Sequence, residues 1–215
     1  MTDPRQYAPA THRNRDPILA VLQEVLPATG TVLEISSGTG EHAAYFAPRL
    51  QPRQWLPSDL NPLALASIAA WRDRYPADNL HAPIALDTCD TQWSVETSSA
   101  FDTLNLKTHP LRAMVNINMI HIAPWSACLG LMAGAERVLP PEGILYLYGP
   151  FRQSDRSTAP SNEAFDASLR AQNPAWGLRN LDEVRSVALQ HHLTFIALRA
   201  MPANNLSVIF QKQRV

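Results

Sequence analysis

The sequence predicts a doubly wound α/β fold, built on a seven-stranded and mostly parallel sheet that ends in an antiparallel hairpin. The first reason is a short apolar strand, 31–36, that leads through a Gly-x-Gly turn into the start of a helix. This order is typical of the nucleotide-binding corner of an open parallel sheet. The second reason is the carboxyl end, where two apolar runs are joined by P-A-N-N. Strands joined by so short a turn are antiparallel.

Capping residues and apolar periodicity predict the helices. Asp16 is expected to cap a helix that begins at Pro17, which leaves 1–16 as an irregular N-terminal arm. Asn61 is expected to cap another helix, because Pro62 follows it at the favoured first helical position. The other predicted helices lie at 41–48, 125–139, 161–171 and 181–191.

Apolar runs predict the strands. Five of them precede the hairpin, at 31–36, 54–59, 82–87, 113–121 and 144–149. The two hairpin strands are predicted at 193–201 and 206–212. Residues 88–112 are polar and show no clear period, so no element is assigned to them. A chain of 215 residues is most simply one domain, 1–215, in which 151–180 is expected to form a lid.

The composition is that of an ordinary globular protein, with a net charge of −1 and 46% hydrophobic residues. Lys and Arg form no basic stripe, which argues against a nucleic-acid partner. No apolar run approaches the roughly 20 residues that span a bilayer, and the charged N-terminal segment does not resemble a secretory signal. Because Cys89 and Cys128 lack metal-ligand spacing, we expect reduced thiols, a cytoplasmic protein and no metal site.

The residues around the glycine turn leave two alternatives for the ligand. Glu34 precedes the turn and is placed to meet a positive group, which favours S-adenosylmethionine (SAM) over a dinucleotide pyrophosphate. However, Gly38-x-Gly40-x-x-Ala43 also fits the dinucleotide fingerprint, with Asp59 at the expected distance along the chain for a ribose-binding acid. The terminal hairpin favours the methyltransferase-like sheet. An NAD(P)-dependent reductase is the less favoured alternative, because its domain more often ends in another parallel strand.

Seven segments of the chain together resemble the methyltransferase-like protein 26 family of bacteria and animals. They are A-T-H-R-N-R-D-P-I (10–18), E-I-S-S-G-T-G-E-H (34–42), P-S-D-L-N (57–61), N-M-I-H-I-A-P-W (118–125), G-P-F (149–151), N-P-A-W-G-L-R (173–179) and M-P-A-N-N (201–205). This resemblance implies the class I fold of SAM-dependent methyltransferases, although a shared fold does not establish an activity. The chain departs from the class at Ser36, where a glycine is usual, and at 104–112, which looks longer than expected.

Ligands of such sheets bind outside the carboxyl ends of the strands, and this rule selects the candidate cofactor residues. Glu34, Ser36, Gly38 and Gly40 are predicted to line the methionine half of SAM. Asp59 is predicted to accept from the two ribose hydroxyls, with capping of the next helix as its alternative. The other candidates, each with a structural alternative, are Leu60 and Asn61 beside the adenine, Asp87 and Thr88 at its amino group, Asn118 after the fourth strand, and Arg13 on the SAM carboxylate.

Methyl transfer to a small molecule requires alignment of the acceptor and removal of any proton. His121 follows the fourth strand, and an ordinary histidine pKa near 6.5 suits a general base; a core histidine is the alternative. A SAM-binding scaffold or sensor without transferase activity also fits these residues, and an acceptor pocket would distinguish the two. The aromatic residues predicted to line that pocket are Tyr7, Trp125, Phe151 and Trp176.

Overall fold

The computed structural model describes residues 3–97 and 104–214. Its strands are β1 (Thr31–Ile35), β2 (Gln54–Asp59), β3 (Ile84–Ala85), β4 (Leu111–Ile117), β5 (Ile144–Gly149), β6 (Leu193–Met201) and β7 (Asn205–Lys212). They form one seven-stranded sheet in the order β3-β2-β1-β4-β5-β7-β6. The pairs among β1 to β5 are parallel, while β7 pairs antiparallel with both β5 and β6. The predicted fold class is therefore confirmed.

Helices cover both faces of this sheet. Within the described ranges they are α1 (Pro9–Val25), α2 (Glu41–Phe46), α3 (Pro62–Arg74), α4 (Trp125–Val138), α5 (Pro160–Gln172) and α6 (Leu181–Gln190). Apolar residues of α1 and α2 pack on one face of the sheet, and those of α4 and α6 pack on the other. No helix in the described ranges is both long enough and apolar enough to cross a membrane.

The start of α1 differs from the prediction. The helix begins at Pro9 rather than at Pro17, so most of the predicted irregular arm is helical. A proline inside a helix removes one backbone hydrogen bond and costs about 3 kcal/mol. Tertiary contacts offset that cost here: the Ala8 N–H donates to the Glu41 carboxylate over 2.6 Å, and Asn14 is hydrogen-bonded to His42.

Two strands also end away from their predicted limits. β3 has only two residues where six were predicted. β4 ends at Ile117, because Asn118 takes a left-handed conformation (φ +65°) that stops the strand and opens a 3-10 turn over Met119–His121. Of the stretch with no assigned element, 98–103 lies outside the described residues.

The predicted cap at Asn61 is confirmed, whereas Asp16 lies inside α1 and does not cap it. The Asn61 side chain accepts a hydrogen bond from the Leu63 N–H over 2.9 Å and so begins α3. Asn180 begins α6 in the same way, accepting from the Asp182 N–H over 2.7 Å. Both helices therefore start where a short polar side chain satisfies a backbone donor that has no partner within the helix.

Candidate active site

The glycine turn between β1 and α2 contains two glycines with different roles. Both have positive φ, +58° at Gly38 and +87° at Gly40. A Cβ built on Gly38 would meet no heavy atom of the described residues within 4 Å, so this residue borders open space. A Cβ built on Gly40 would lie 2.7 Å from the Cα of Ile68 in α3. The structure thus places Gly38 where a ligand can approach the backbone.

Gly40 serves the packing of α2 against α3, and its contact with a cofactor stays a prediction. Its N–H donates to the Ser37 carbonyl over 3.1 Å, and its carbonyl accepts from the Ala44 N–H over 3.0 Å. Both of its backbone polar groups therefore have a hydrogen-bond partner within the protein.

Ser36 stands at the position where the class usually has a glycine. It nevertheless has the backbone conformation of one, with φ +56°. A left-handed conformation costs a residue with a Cβ roughly 1–2 kcal/mol. The turn therefore keeps the usual backbone path and adds a half-buried hydroxyl at the carboxyl end of β1.

Asp59 connects the end of β2 to the glycine turn. One of its carboxylate oxygens accepts from the Gly38 N–H over 2.9 Å, and the other accepts from the Asn61 N–H over 2.9 Å. A carboxylate has about four lone-pair sites, so it can still accept from a ligand. The helix-capping alternative belongs to Asn61, whose side chain is committed to α3, while Leu60 is largely exposed beside it.

Asp87 and Thr88 follow β3, on the other side of Asp59 from the glycine turn. The Asp87 carboxylate accepts from the Cys89 N–H over 2.8 Å and is half-buried. Thr88 is buried, and its carbonyl would lie 2.1 Å from a Cβ built on Gly130 of α4. Thr88 therefore packs against α4, whereas Asp87 stays at the sheet edge with a carboxylate that can accept further hydrogen bonds.

The carboxylate of Glu34 is buried within the protein. It accepts a hydrogen bond from Trp55 Nε1 over 2.9 Å. Burial raises the pKa of Glu34 to about 7, and the nearby Asp59 charge adds to that rise, while the hydrogen bonds from Trp55 and Ser37 oppose it. Glu34 thus contacts Trp55 rather than the open space beside Gly38, and its contact with a cofactor stays a prediction.

Replacing Glu34 with glutamine is expected to stabilise the protein in mildly alkaline solution. Because the folded pKa is about 7 and the unfolded pKa about 4.5, the folded state loses stability as the pH rises between these values. The amide does not ionise, so above pH 7 the free energy of unfolding of the variant should exceed that of the wild type by about 2–3 kcal/mol. Urea unfolding at several pH values measures this difference, which should vanish below about pH 4.5. The exposed Glu183→Gln is the matched control, and an equal gain in that control would contradict the assignment.

A cavity of about 430 Å³ lies at the carboxyl ends of β4 and β5. Its walls come from α1, the two strand ends, α5 and the turn between β6 and β7: Ala10, Arg13, Asn14, Asn118, Tyr148, Pro150, Ser161, Asn162, Phe165, Pro202, Ala203 and Asn205. We call it the strand-end cavity. Sequence reasoning selected Arg13 and Asn118 but missed the other lining residues, although M-P-A-N-N was among the segments that carried the resemblance.

Asn14 links the strand-end cavity to the glycine turn. It lines the cavity, and its Oδ1 lies 2.9 Å from His42 Nε2, in the helical turn that follows Gly40. Burial lowers the pKa of His42 to about 4, so the neutral ring donates to Asn14. Asn14 also interacts with the Tyr148 hydroxyl, at the end of β5, and Tyr148 lines the same cavity. A polar network therefore joins the two candidate binding regions.

His121 is fully buried, which favours the alternative of a core histidine over its predicted role as a general base. Its Nδ1 accepts from the Arg179 N–H over 3.3 Å, and its ring meets Phe151 edge to face at 4.8 Å. A Cβ on Gly149 would lie 2.4 Å from Nε2, so the ring fills the space above that glycine. Burial, together with the Arg179 charge, lowers the pKa of His121 to about 3. The residue therefore holds neighbouring segments of the protein together.

The four predicted aromatic residues do not line the strand-end cavity. Tyr7 is 61% exposed and packs against Trp71, and Phe151 is buried against His121. Trp125 packs beside the Arg179 guanidinium, and Trp176 is half-buried. The aromatic rings in the cavity wall are instead those of Phe165 and Tyr148.

The predicted lid is attached to the segment after β4. Gly177 donates its N–H to the His121 carbonyl over 2.9 Å, and the Arg179 guanidinium donates to the carbonyls of Ile120 and Ala123. Asp166 in α5 accepts from the Leu178 N–H over 2.7 Å. These bonds fix α5, and with it Phe165, over the end of β4. In the described ranges, no three His, Cys, Asp or Glu side chains group as metal ligands.

Solved structures of methyltransferases share this fold. An O-methyltransferase family protein from Burkholderia thailandensis superposes with a TM-score of 0.73 at 15% identity, over 95% of this chain and 57% of its own. An O-methyltransferase family 2 protein from Planctomyces limnophilus, in complex with apigenin, superposes with a TM-score of 0.72 at 17% identity, over 94% of this chain and 60% of its own. Human N-acetylserotonin methyltransferase, in complex with SAM, superposes with a TM-score of 0.70 at 11% identity, over 95% of this chain and 53% of its own.

This chain therefore spans between 53% and 60% of the length of those three structures. At such low identity the similarity establishes the class I methyltransferase fold and no activity. A family profile matches residues 5–212, nearly the whole sequence. The chain belongs to the family described as "Protein of unknown function (DUF938)".

Proposed function

We propose that this protein is a SAM-dependent methyltransferase that acts on a small-molecule acceptor. One observation carries the proposal: two separate binding regions lie side by side at the carboxyl edge of the sheet. The first is the open glycine turn backed by Asp59, and the second is the strand-end cavity. A methyltransferase requires both, whereas a protein that only binds SAM requires the first alone.

The residues at the first region fit SAM. Gly38 borders open space, and Asp59 keeps free acceptor sites for two ribose hydroxyls. The Oδ1 of Asn116, on the strand beside β1, is buried without a hydrogen-bond partner among the described residues. Arg13, whose planar fork matches a carboxylate, is the candidate for the methionine carboxylate. Ser36, Leu60, Asn61, Asp87, Thr88 and Asn118 stay candidates for the remaining contacts.

When bound, SAM would supply a methyl group on a positively charged sulfur. The contribution of the protein is then to hold and orient the acceptor, which the amide and aromatic side chains of the strand-end cavity can do by hydrogen bonding and stacking. With His121 buried, no histidine among the described residues lines the cavity, so an acceptor that loses its proton without a histidine base suits this site. The proposal also includes membership of the methyltransferase-like protein 26 family, which is a narrower assignment than the class I methyltransferase fold.

The proposal is tested first by calorimetric titration. We expect SAM or its demethylated product to bind in the micromolar range and NAD not to bind. Asp59→Ala should weaken SAM binding by roughly 1–3 kcal/mol, because the ribose hydroxyls would lose their acceptor. Asp78→Ala is the matched control, since Asp78 is an exposed carboxylate near the amino end of β2.

The outcomes separate the three functions. Tight binding of NAD without SAM would favour the reductase and overturn the proposal. Equal SAM affinity in both aspartate variants would remove Asp59 from the site. Incubation with SAM and the small-molecule fraction of a cell extract should form the demethylated cofactor. Binding without any such product would favour the scaffold or sensor.

A further inference from the structure

A second cavity, of about 540 Å³, lies on the outer surface of the α1–α3 layer. Its lining residues are His12, Arg15, Glu41, Ala44, Tyr45, Pro48, Arg49, Trp71, Arg74, Tyr75 and Pro76. We call it the arginine groove. Among the described residues, it shares no lining residue with the strand-end cavity.

The lengths of the three helices explain the groove. α2 has six residues and lies between α1 with 17 and α3 with 13. Ala44 in α2 is a small residue, so α2 forms a low floor between two longer walls. A volume of this size lies within the range of pockets that hold small ligands.

Arginines and aromatic rings alternate along this groove. The Arg15 and Arg49 guanidinium carbons lie 4.3 Å and 3.9 Å from the centre of the Tyr45 ring. The Arg74 guanidinium lies 5.1 Å from the Tyr75 ring, which stacks on Trp71 at 5.5 Å. Stacking on aromatic rings holds the flat arginine heads in place, so that they can bind an anion with less loss of conformational freedom.

The positive charge of the groove is not matched by its carboxylates. Arg15, Arg49 and Arg74 form no ion pair with a described carboxylate, and the Nε of Arg15 is buried without a hydrogen-bond partner among the described residues. Glu41 lines the groove but accepts from Ala8 and Thr39 and lies 3.7 Å from the His12 ring, and Asp16 accepts from the Tyr45 hydroxyl. The groove therefore has guanidinium donors available to a ligand.

We infer that the arginine groove binds a small phosphorylated molecule with a planar aromatic group, such as a mononucleotide. Guanidinium forks suit phosphate oxygens, and the faces of Trp71 and Tyr75 suit a flat ring. A polynucleotide fits less well, because the groove has room for one or two nucleotides and the chain has a net charge of −1.

Calorimetry of the full chain with AMP and ATP tests this inference, with S-adenosylhomocysteine added in excess so that the proposed adenine site is filled. The double variant Arg49→Gln/Arg74→Gln should bind ATP at least tenfold more weakly, because two charge-assisted contacts are lost. Both side chains are exposed, so thermal unfolding should stay unchanged. Arg185→Gln is the matched control: Arg185 also stacks on a ring, that of Phe195 at 4.3 Å, but lies outside the groove.

Each result has a defined meaning. Tighter binding of ATP than of AMP, lost in the double variant and kept in the control, would support the inference. Adenosine binding as well as AMP would overturn it, because the arginines would then have no role. Tighter binding of single-stranded oligothymidylate than of ATP would also overturn it, in favour of nucleic acid. Calorimetry with these ligands does not measure methyl transfer. A failure of this inference would therefore leave the proposed function unaffected.

Discussion

Replacing Gly40 with alanine is expected to destabilise the fold by about 3 kcal/mol. The new Cβ would lie 2.7 Å from the Ile68 Cα and would also require a positive φ of +87°. Overpacking against backbone costs about 1–3 kcal/mol, and a left-handed alanine adds roughly 1–2 kcal/mol. Urea unfolding followed by circular dichroism measures the loss. Because α2 and α3 would have to separate, cofactor binding should fail together with the fold.

Gly38→Ala is the matched control, and it separates ligand binding from packing. Its Cβ would meet no atom of residues 3–97 and 104–214 within 4 Å, so we expect only the conformational cost of about 1–2 kcal/mol. The methyl group would occupy space needed by the proposed cofactor, and SAM affinity should fall by more than tenfold in a protein that still unfolds cooperatively. Normal SAM binding by this variant would place the cofactor elsewhere. A Gly40→Ala variant as stable as the wild type would contradict the packing assignment.

Local signals predicted the elements that local chemistry controls. α3 begins at its predicted cap because Asn61 and Pro62 satisfy and shape the first turn without help from distant residues. β2 and β5 match their predicted limits, 54–59 and 144–149. β5 is an apolar run bounded by turn residues, as expected of a strand that is buried between helical layers.

Long-range contacts decided the elements that were predicted wrongly. α1 continues through Pro17 because its first turns are held by α2, and this contact joins residues far apart in the sequence. β4 ends at a left-handed Asn118, whereas the apolar run M-I-H beyond it looks like more strand. Met119 and Ile120 are buried in a 3-10 turn, and burial alone does not distinguish that turn from a strand.

The candidate site was predictable in its position and only partly in its residues. The rule that ligands bind at the carboxyl ends of strands selects Ser36, Asp59, Asp87 and Asn118 without any knowledge of packing, and the structure places all four at that edge. The strand-end cavity is different, because its walls come from α1, α5 and the β6–β7 turn. Only the tertiary fold brings these segments together. Aromatic residues near strand ends in the sequence were therefore a poor guide to the cavity wall.

Acid is expected to reveal the burial of His121. Its pKa is about 3 in the folded protein, whereas an unfolded histidine has a pKa near 6.5. Below about pH 6.5 the unfolded state takes up a proton that the folded state does not. The contribution of His121 to the free energy of unfolding is therefore complete above that pH. It falls by about 1.4 kcal/mol for each unit as the pH decreases toward 3.

His121→Asn removes this titration and keeps an acceptor that can replace Nδ1 for the Arg179 N–H. At neutral pH the variant should be less stable by about 2–4 kcal/mol, because the ring no longer fills the space beside Phe151 and Gly149. The difference in the free energy of unfolding should shrink on acidification. Only the wild type has a His121 ring that takes up a proton in the unfolded state and not in the folded state. His42 and Glu34 titrate in both proteins, so their effects cancel in the comparison. Urea unfolding at pH values between about 7 and 4.5 measures the difference. A constant gap would mean that the folded protein protonates His121 readily, and the ring would then have to be reachable from solvent, which would restore it as a candidate base.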